Sequence, residues 1–140
     1  MAAEYTYPLA QTVQPGQHAI FNDSIPCPYG YVYHRNGSGL FTLRNIPWKC
    51  FTRYSIQVVG NMAVAEGGTP GETSVGIAIN GESLPSAVAM ATPVAVGDFY
   101  NFTCLATIDV PRGCCLNVAL ENLTADIPVT IQNAVVKISA

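Results

Sequence analysis

Along residues 99–122, FYNFTCLATIDVPRGCCLNVALEN, apolar and polar positions alternate with a period of two. Phe102, Cys104, Ala106, Ile108 and Val110 fall on one side of an extended chain. Thr103, Thr107 and Asp109 fall on the other, with Leu105 the exception. Successive strand side chains point to opposite faces, so the pattern predicts a strand with one face in a core. Val110-Pro111-Arg112-Gly113 then reads as a reversal, since proline presets φ at the second turn position and glycine suits the fourth. Beyond it Leu116, Val118 and Leu120 alternate with Asn117 and Glu121. The expectation is a central hairpin of two long strands.

The same periodicity runs through the rest of the chain. Phe51 to Val64 predicts a long strand, with Tyr54, Ile56, Val58, Met62 and Val64 on one face and Ser55, Gln57 and Asn61 on the other. Val75, Ile77 and Ile79 share a face and end at Asn80-Gly81, a hairpin turn of the primed type. Asn36-Gly37 carries the same turn signal between Tyr29-Tyr31-Tyr33 and Leu40 to Leu43. Gln17 to Phe21 predicts a short strand, as does the alanine-rich run Leu84 to Thr92. Val129 to Ile138 closes the chain, and its alternation slips near Asn133-Ala134, as a β-bulge would make it do. Residues 1–15, broken by Pro8 and Pro15, read as an extended N-terminal arm, and residues 16–140 as one domain.

Eight to ten short strands between Gly, Pro and Asn turns, with no amphipathic helix, predict an all-β antiparallel sandwich of the jelly-roll kind. Val59, Ala63, Leu105, Ala119 and Val136 count as apolar positions on outward faces. A sandwich with one wet side would keep them polar, so they predict a subunit interface. Tyr5, Tyr7 and Leu9 alternate as an arm laid on another surface would, and join that set.

Composition sharpens this reading. Only 11% of the 140 residues are charged, while 49% are hydrophobic. Few charges are available to keep a surface wet, so part of it is expected to be covered by other copies. The net charge of −3 supplies no basic field for nucleic acid. Arg35, Arg44, Lys49 and Arg53 nevertheless follow one another with no acid between Asp23 and Glu66. They read as a solvated or interface group, with an anionic ligand as the alternative. There is no apolar run of 18 residues and no secretory leader pattern, so synthesis in a cytoplasm is expected.

Candidate chemistry is sparse. Cys27, Cys50, Cys104, Cys114 and Cys115 lack zinc-site spacing. They read as reduced packing residues or, for Cys27 and Cys50, as a disulfide. His18 and His34 are the only histidines, and a set such as Cys27, His34 and Asp23 has no supporting spacing. The expectation is no catalysis, no metal and no cofactor. Tyr29, Tyr31, Tyr33, Arg35 and Trp48 are the candidate ligand surface, because aromatic faces stack on sugars and cations. The sequons at Asn22, Asn36, Asn101 and Asn122 read as unmodified.

The runs PLAQTVQPGQHAIFND, GYVYHRNGSGLFTL, FTRYSIQVVGNMAV and VTIQNAVVKISA resemble the tumour-necrosis-factor-like and complement-globular-head-like jelly roll. They are most similar to its bacterial and phage branch, which includes the heads of collagen-like spore-surface glycoproteins. The resemblance extends from Gln11 to the end of the chain. It implies a compact homotrimer with structural, display or receptor-binding roles. The Gly-X-Y stalk of those glycoproteins does not precede the head, which favours a free-standing subunit of a virion or appendage. The expected function is a non-enzymatic, self-associating subunit decorating a phage capsid or fibre, or a bacterial surface or spore appendage. Its partners are itself and a capsid, fibre or appendage protein held through the arm. The alternative is a receptor- or carbohydrate-binding module on such a surface.

Overall fold

Alternation along Phe51–Val64 buries Thr52, Tyr54, Ile56, Val58 and Met62 and leaves Phe51, Arg53, Ser55 and Gln57 in solvent. This fourteen-residue strand lies one strand in from the edge of a sheet in a computed structural model that describes residues 2–26, 31–113 and 115–140. The described strands are β1 (Ala2–Tyr7), β2 (Gln11–Val13), β3 (Asp23–Ile25), β4 (Val32–His34), β5 (Phe41–Arg44), β6 (Phe51–Val64), β7 (Thr73–Ile79), β8 (Glu82–Ala91), β9 (Tyr100–Pro111), β10 (Cys115–Asn122) and β11 (Val129–Ser139). No helix occurs among the described residues.

Two antiparallel sheets make the sandwich. The first has the order β3-β1-β11-β6-β9, with β2 also paired to β11; the second has the order β4-β5-β10-β7-β8. Tyr5, Tyr54, Ile56, Met62, Ile131 and Ile138 from the first sheet meet Phe41, Leu43, Ile77 and Leu120 from the second in one core. Gly60 faces inward on β6, and the Phe102 ring occupies the space a side chain there would need, 3.0 Å from an ideal Cβ.

Three expectations need correction. First, β9 and β10 do not form a hairpin. β9 pairs with β6 over twelve residues, and β10 pairs with β5 and β7. The turn ending at Gly113, with φ 84°, carries the chain from one sheet to the other. Alternation shows that both strands face a core; it does not show that they face it from opposite sides.

Second, residues 1–15 are not a separate arm. β1 pairs with β11 from Ala2↔Ser139 to Tyr7↔Ala134, and also with β3. Tyr5 is buried, its ring 4.7 Å from that of Phe41 and 4.8 Å from that of His34. The surface on which this segment lies is its own sandwich.

Third, Gln17 to Phe21 makes only bridges, His18↔Glu121 and Phe21↔Ser38, rather than a strand.

The slip in β11 is real. Pairing to β6 shifts between Gln132 and Val135, and Asn133 takes φ 57°. Asparagine tolerates this left-handed conformation better than other residues with a Cβ. The extra residue switches parity: Ile131 is buried before it, and Ala134, Val136 and Ile138 after it. The Asn80-Gly81 turn also has the primed geometry expected, with φ 51° and 85°.

Asn122, one of the sequon residues, is fully buried. Its amide donates to Val13 O and Ile127 O and its Oδ1 accepts from Thr124 N, so it ties three segments together.

Asn133→Val should destabilise the protein by about 1–2 kcal/mol, since a β-branched residue is strained at positive φ. Asn133→Gly should cost well under that. Urea denaturation of both variants checks this.

Candidate functional site

Tyr31 and Tyr33 flank the buried Val32, so both point outward from the second sheet at β4. Tyr33 lies opposite Thr42 on β5, and Thr42 lies opposite Asn117 on β10. The Thr42 hydroxyl donates to Asn117 Oδ1 at 2.9 Å, which fixes this row of polar side chains. Tyr33 and Arg35 line a shallow cleft of about 210 Å³ with Ser38, Leu40 and Thr42.

The β5–β6 loop is folded on itself. Thr52 Oγ1 accepts from Ile46 N and donates to Asn45 Oδ1, while the Asn45 amide donates to Lys49 O at 2.7 Å. Ile46 is buried beneath, and Trp48 stands out 74% exposed. Its ring meets the edge of Tyr31 with centroids 6.4 Å apart. Thus Tyr31 and Trp48 come together, Tyr33 and Arg35 come together, and Tyr29 lies outside the described residues.

Sequence reasoning missed a neighbour of this surface. Cys115 pairs with Arg44, which carries the β9–β10 turn alongside the β5–β6 loop. Arg44, Asn45, Pro47, Arg112, Gly113 and Cys115 line a cleft of about 270 Å³. Arg112 is far from Arg44 in sequence, and the strand register with the hydrogen bond from Arg112 N to Cys50 O joins them.

Arg53, by contrast, is already matched. It grips Asp109 with two hydrogen bonds, of 2.8 and 3.1 Å, in the only ion pair among the described residues. That hydrogen bond holds the Asp109 carboxyl below the usual range and raises Arg53. Both groups are in solvent, so the pair adds little to stability.

The outward face of the first sheet holds part of the expected interface. Val59 lies opposite Val135, and Leu105, 60% exposed, lies diagonally across on β9. Val135 is an addition, because the bulge turns it outward. Tyr5, Ala63, Ala119 and Val136 are corrected: all four are buried within the protomer. For Val136 the cause is the parity switch at Asn133. Ala63 and Ala119 are covered within the protomer despite their outward parity. Tyr7 is half-buried and Leu9 exposed. The same face carries a cleft of about 560 Å³ lined mainly by Ser55, Gln57, Leu105, Thr107, Lys137 and Ser139.

Cys104 lies in the core, and burial pushes its thiol up to about 11. Cys50 and Cys115 are exposed; Cys27, the expected partner of Cys50, lies outside the described residues, as does Cys114. His34 is stacked on Phe41 at 4.6 Å. Its Nε2 donates to Ser38 O at 2.8 Å, because a carbonyl can only accept. Its Nδ1 is buried with no partner among the described residues. Neither nitrogen is presented to a substrate. No three of His, Cys, Asp and Glu gather as a metal site among the described residues.

The strand order and its two sheets can be compared with known folds. The globular domain of zebrafish complement 1qA superposes with a TM-score of 0.60 at 13% identity, over 99% of this chain and 94% of that one. The Eiger TNF of S. frugiperda gives 0.59 at 12% identity, over 99% and 90%. The fold is the TNF-like jelly roll. No family model and no curated protein matches the sequence, so the TNF-like likeness is carried by backbone topology alone.

In the native protein, the exposed Cys50 should react with a maleimide at pH 8 within minutes. Cys104 should react only after unfolding, because it is both covered and protonated. Peptide mapping of the labelled protein checks this.

Proposed function

We propose that this chain is a non-enzymatic structural subunit that associates with itself as a homotrimer through the outer face of its first sheet. The assembled jelly rolls decorate a phage capsid or fibre, or a bacterial surface or spore appendage. The observation that carries the reading is the composition of that face. Val59, Val135 and Leu105 sit among Ser55, Gln57, Thr103 and Thr107, and the charges on the face are paired: Lys137 lies opposite Glu4 of the adjacent strand, and Arg53 holds Asp109 toward one end. Such a face loses little on desolvation, because neutral hydroxyls and amides need only hydrogen bonds from a partner, whereas buried charges must be paired. The 560 Å³ cleft gives a neighbouring copy a seat.

A second reading, display of a carbohydrate- or receptor-binding surface, is favoured by one feature. Trp48 and Tyr31 form an exposed aromatic corner held by a braced loop, as a sugar-stacking platform requires. The two readings are compatible, since this corner lies on the other sheet.

Charge placed on the two faces separates association from folding. Val118→Asp buries an unpaired carboxylate and should unfold the protomer. Val59→Asp and Leu105→Asp should change stability by less than about 1 kcal/mol while dissociating the assembly. Circular dichroism with sedimentation on each variant reads both effects; identical behaviour of Val118→Asp and Leu105→Asp would contradict the assignment of faces.

A further inference from the structure

Two clusters of exposed charge, opposite in sign, lie at opposite ends of the fold. β6 spans roughly 40 Å from Phe51 to Val64 at about 3.3 Å per residue. Beyond Val64 lie three loops, residues 65–72, 92–99 and 123–128. Ala65 N donates to Pro128 O and Gly97 N donates to Val64 O, which gathers them at one end. They carry Glu66, Glu72, Asp98 and Asp126, all exposed, and no lysine or arginine. Val94, 84% exposed, and Phe99 stand beside Asp98.

The opposite end is the mirror of this. Arg44, Lys49 and Arg112 are exposed around the 270 Å³ cleft, with Trp48 and Phe51 beside them. Arg112 N donates to Cys50 O, which holds the two loops together. Asp109 is taken by Arg53, and no carboxylate lines the cleft. Glu82 follows the Asn80-Gly81 turn two strands away from β10.

We propose that the Arg44–Arg112 cleft docks the acidic loop end of a second copy, so that molecules stack head to tail. Both ends pair apolar side chains with charge of one sign, and the signs are complementary. A contact between different patches on identical chains does not close on itself without a suitable rotation, so it extends into a stack. The contact uses neither the outer face of the first sheet nor the trimer reading. It is formed by exposed loops, so it is weakened by salt, unlike an interface built on neutral side chains.

The test is sedimentation velocity of the native protein, of Arg44→Glu/Arg112→Glu and of Glu66→Lys/Asp98→Lys, at about 20 mM and about 0.5 M NaCl. Circular dichroism controls for folding. The native protein should form larger species at low salt that grow with concentration and revert at high salt. Each double variant alone should lose them, with association at least about tenfold weaker. An equal mixture of the two variants should regain association, because their ends are again complementary. Native protein whose size does not respond to salt would overturn the proposal. So would loss of association on reversing the basic end together with full retention on reversing the acidic end, because the cleft would then serve another anion. The particle that remains in 0.5 M NaCl reports separately on the first-sheet face.

Discussion

The register of β11 is the constraint on which the rest depends. This strand lies inside the first sheet, hydrogen-bonded to β6 on one side and to β1 and β2 on the other. A shift of one residue in a strand exchanges its faces. The bulge at Asn133 makes that exchange in mid-strand. Ile131 points into the core before it; Val136 and Ile138 do so after it, leaving Val135 and Lys137 outside. Without the bulge, Lys137 would enter the core and Val136 would leave it. One asparagine at positive φ therefore sets which side chains of β11 beyond it reach the outer face.

Two kinds of surface follow from this arrangement. Strand faces hold side chains chosen by the pleat, and here the outer pleat of the first sheet carries neutral polar groups with a few aliphatic ones. Loop ends are free of the pleat, and two clusters of like charge collect there. The bases gather where β5 meets β6 and β9 meets β10, and acids where β6, β8 and β10 run out. Apart from Lys137 with Glu4 and Arg53 with Asp109, the broad face proposed to meet its own kind is neutral.

Much of the fold was legible in the residues. Period-two alternation placed β6, β9, β10 and β11, and Asn80-Gly81 and the slip at Asn133 showed their physical signatures directly. What alternation could not carry was which strand hydrogen-bonds to which. That is why β9 and β10 read as a hairpin although they lie in different sheets, and why β1 read as an arm although it completes a sheet. The candidate site divides in the same way. Trp48 and Tyr31 were visible as exposed-type aromatics in a loop and a strand end. Arg112 joined them through the Cys115↔Arg44 register and its backbone bond to Cys50, neither of which a local pattern encodes. Ala63, Ala119 and Val136 misled because an apolar residue at an outward parity was equated with an open surface, without allowance for cover from the rest of the chain or for the bulge.

The central claim is that the first-sheet face is covered by other copies of the chain. Light scattering coupled to size-exclusion chromatography, run in 0.5 M salt so that end-to-end contacts are screened, measures this as a mass. The account predicts a particle of three 14.9 kDa chains that persists on dilution to micromolar concentration. A folded species of one chain at every concentration would contradict it.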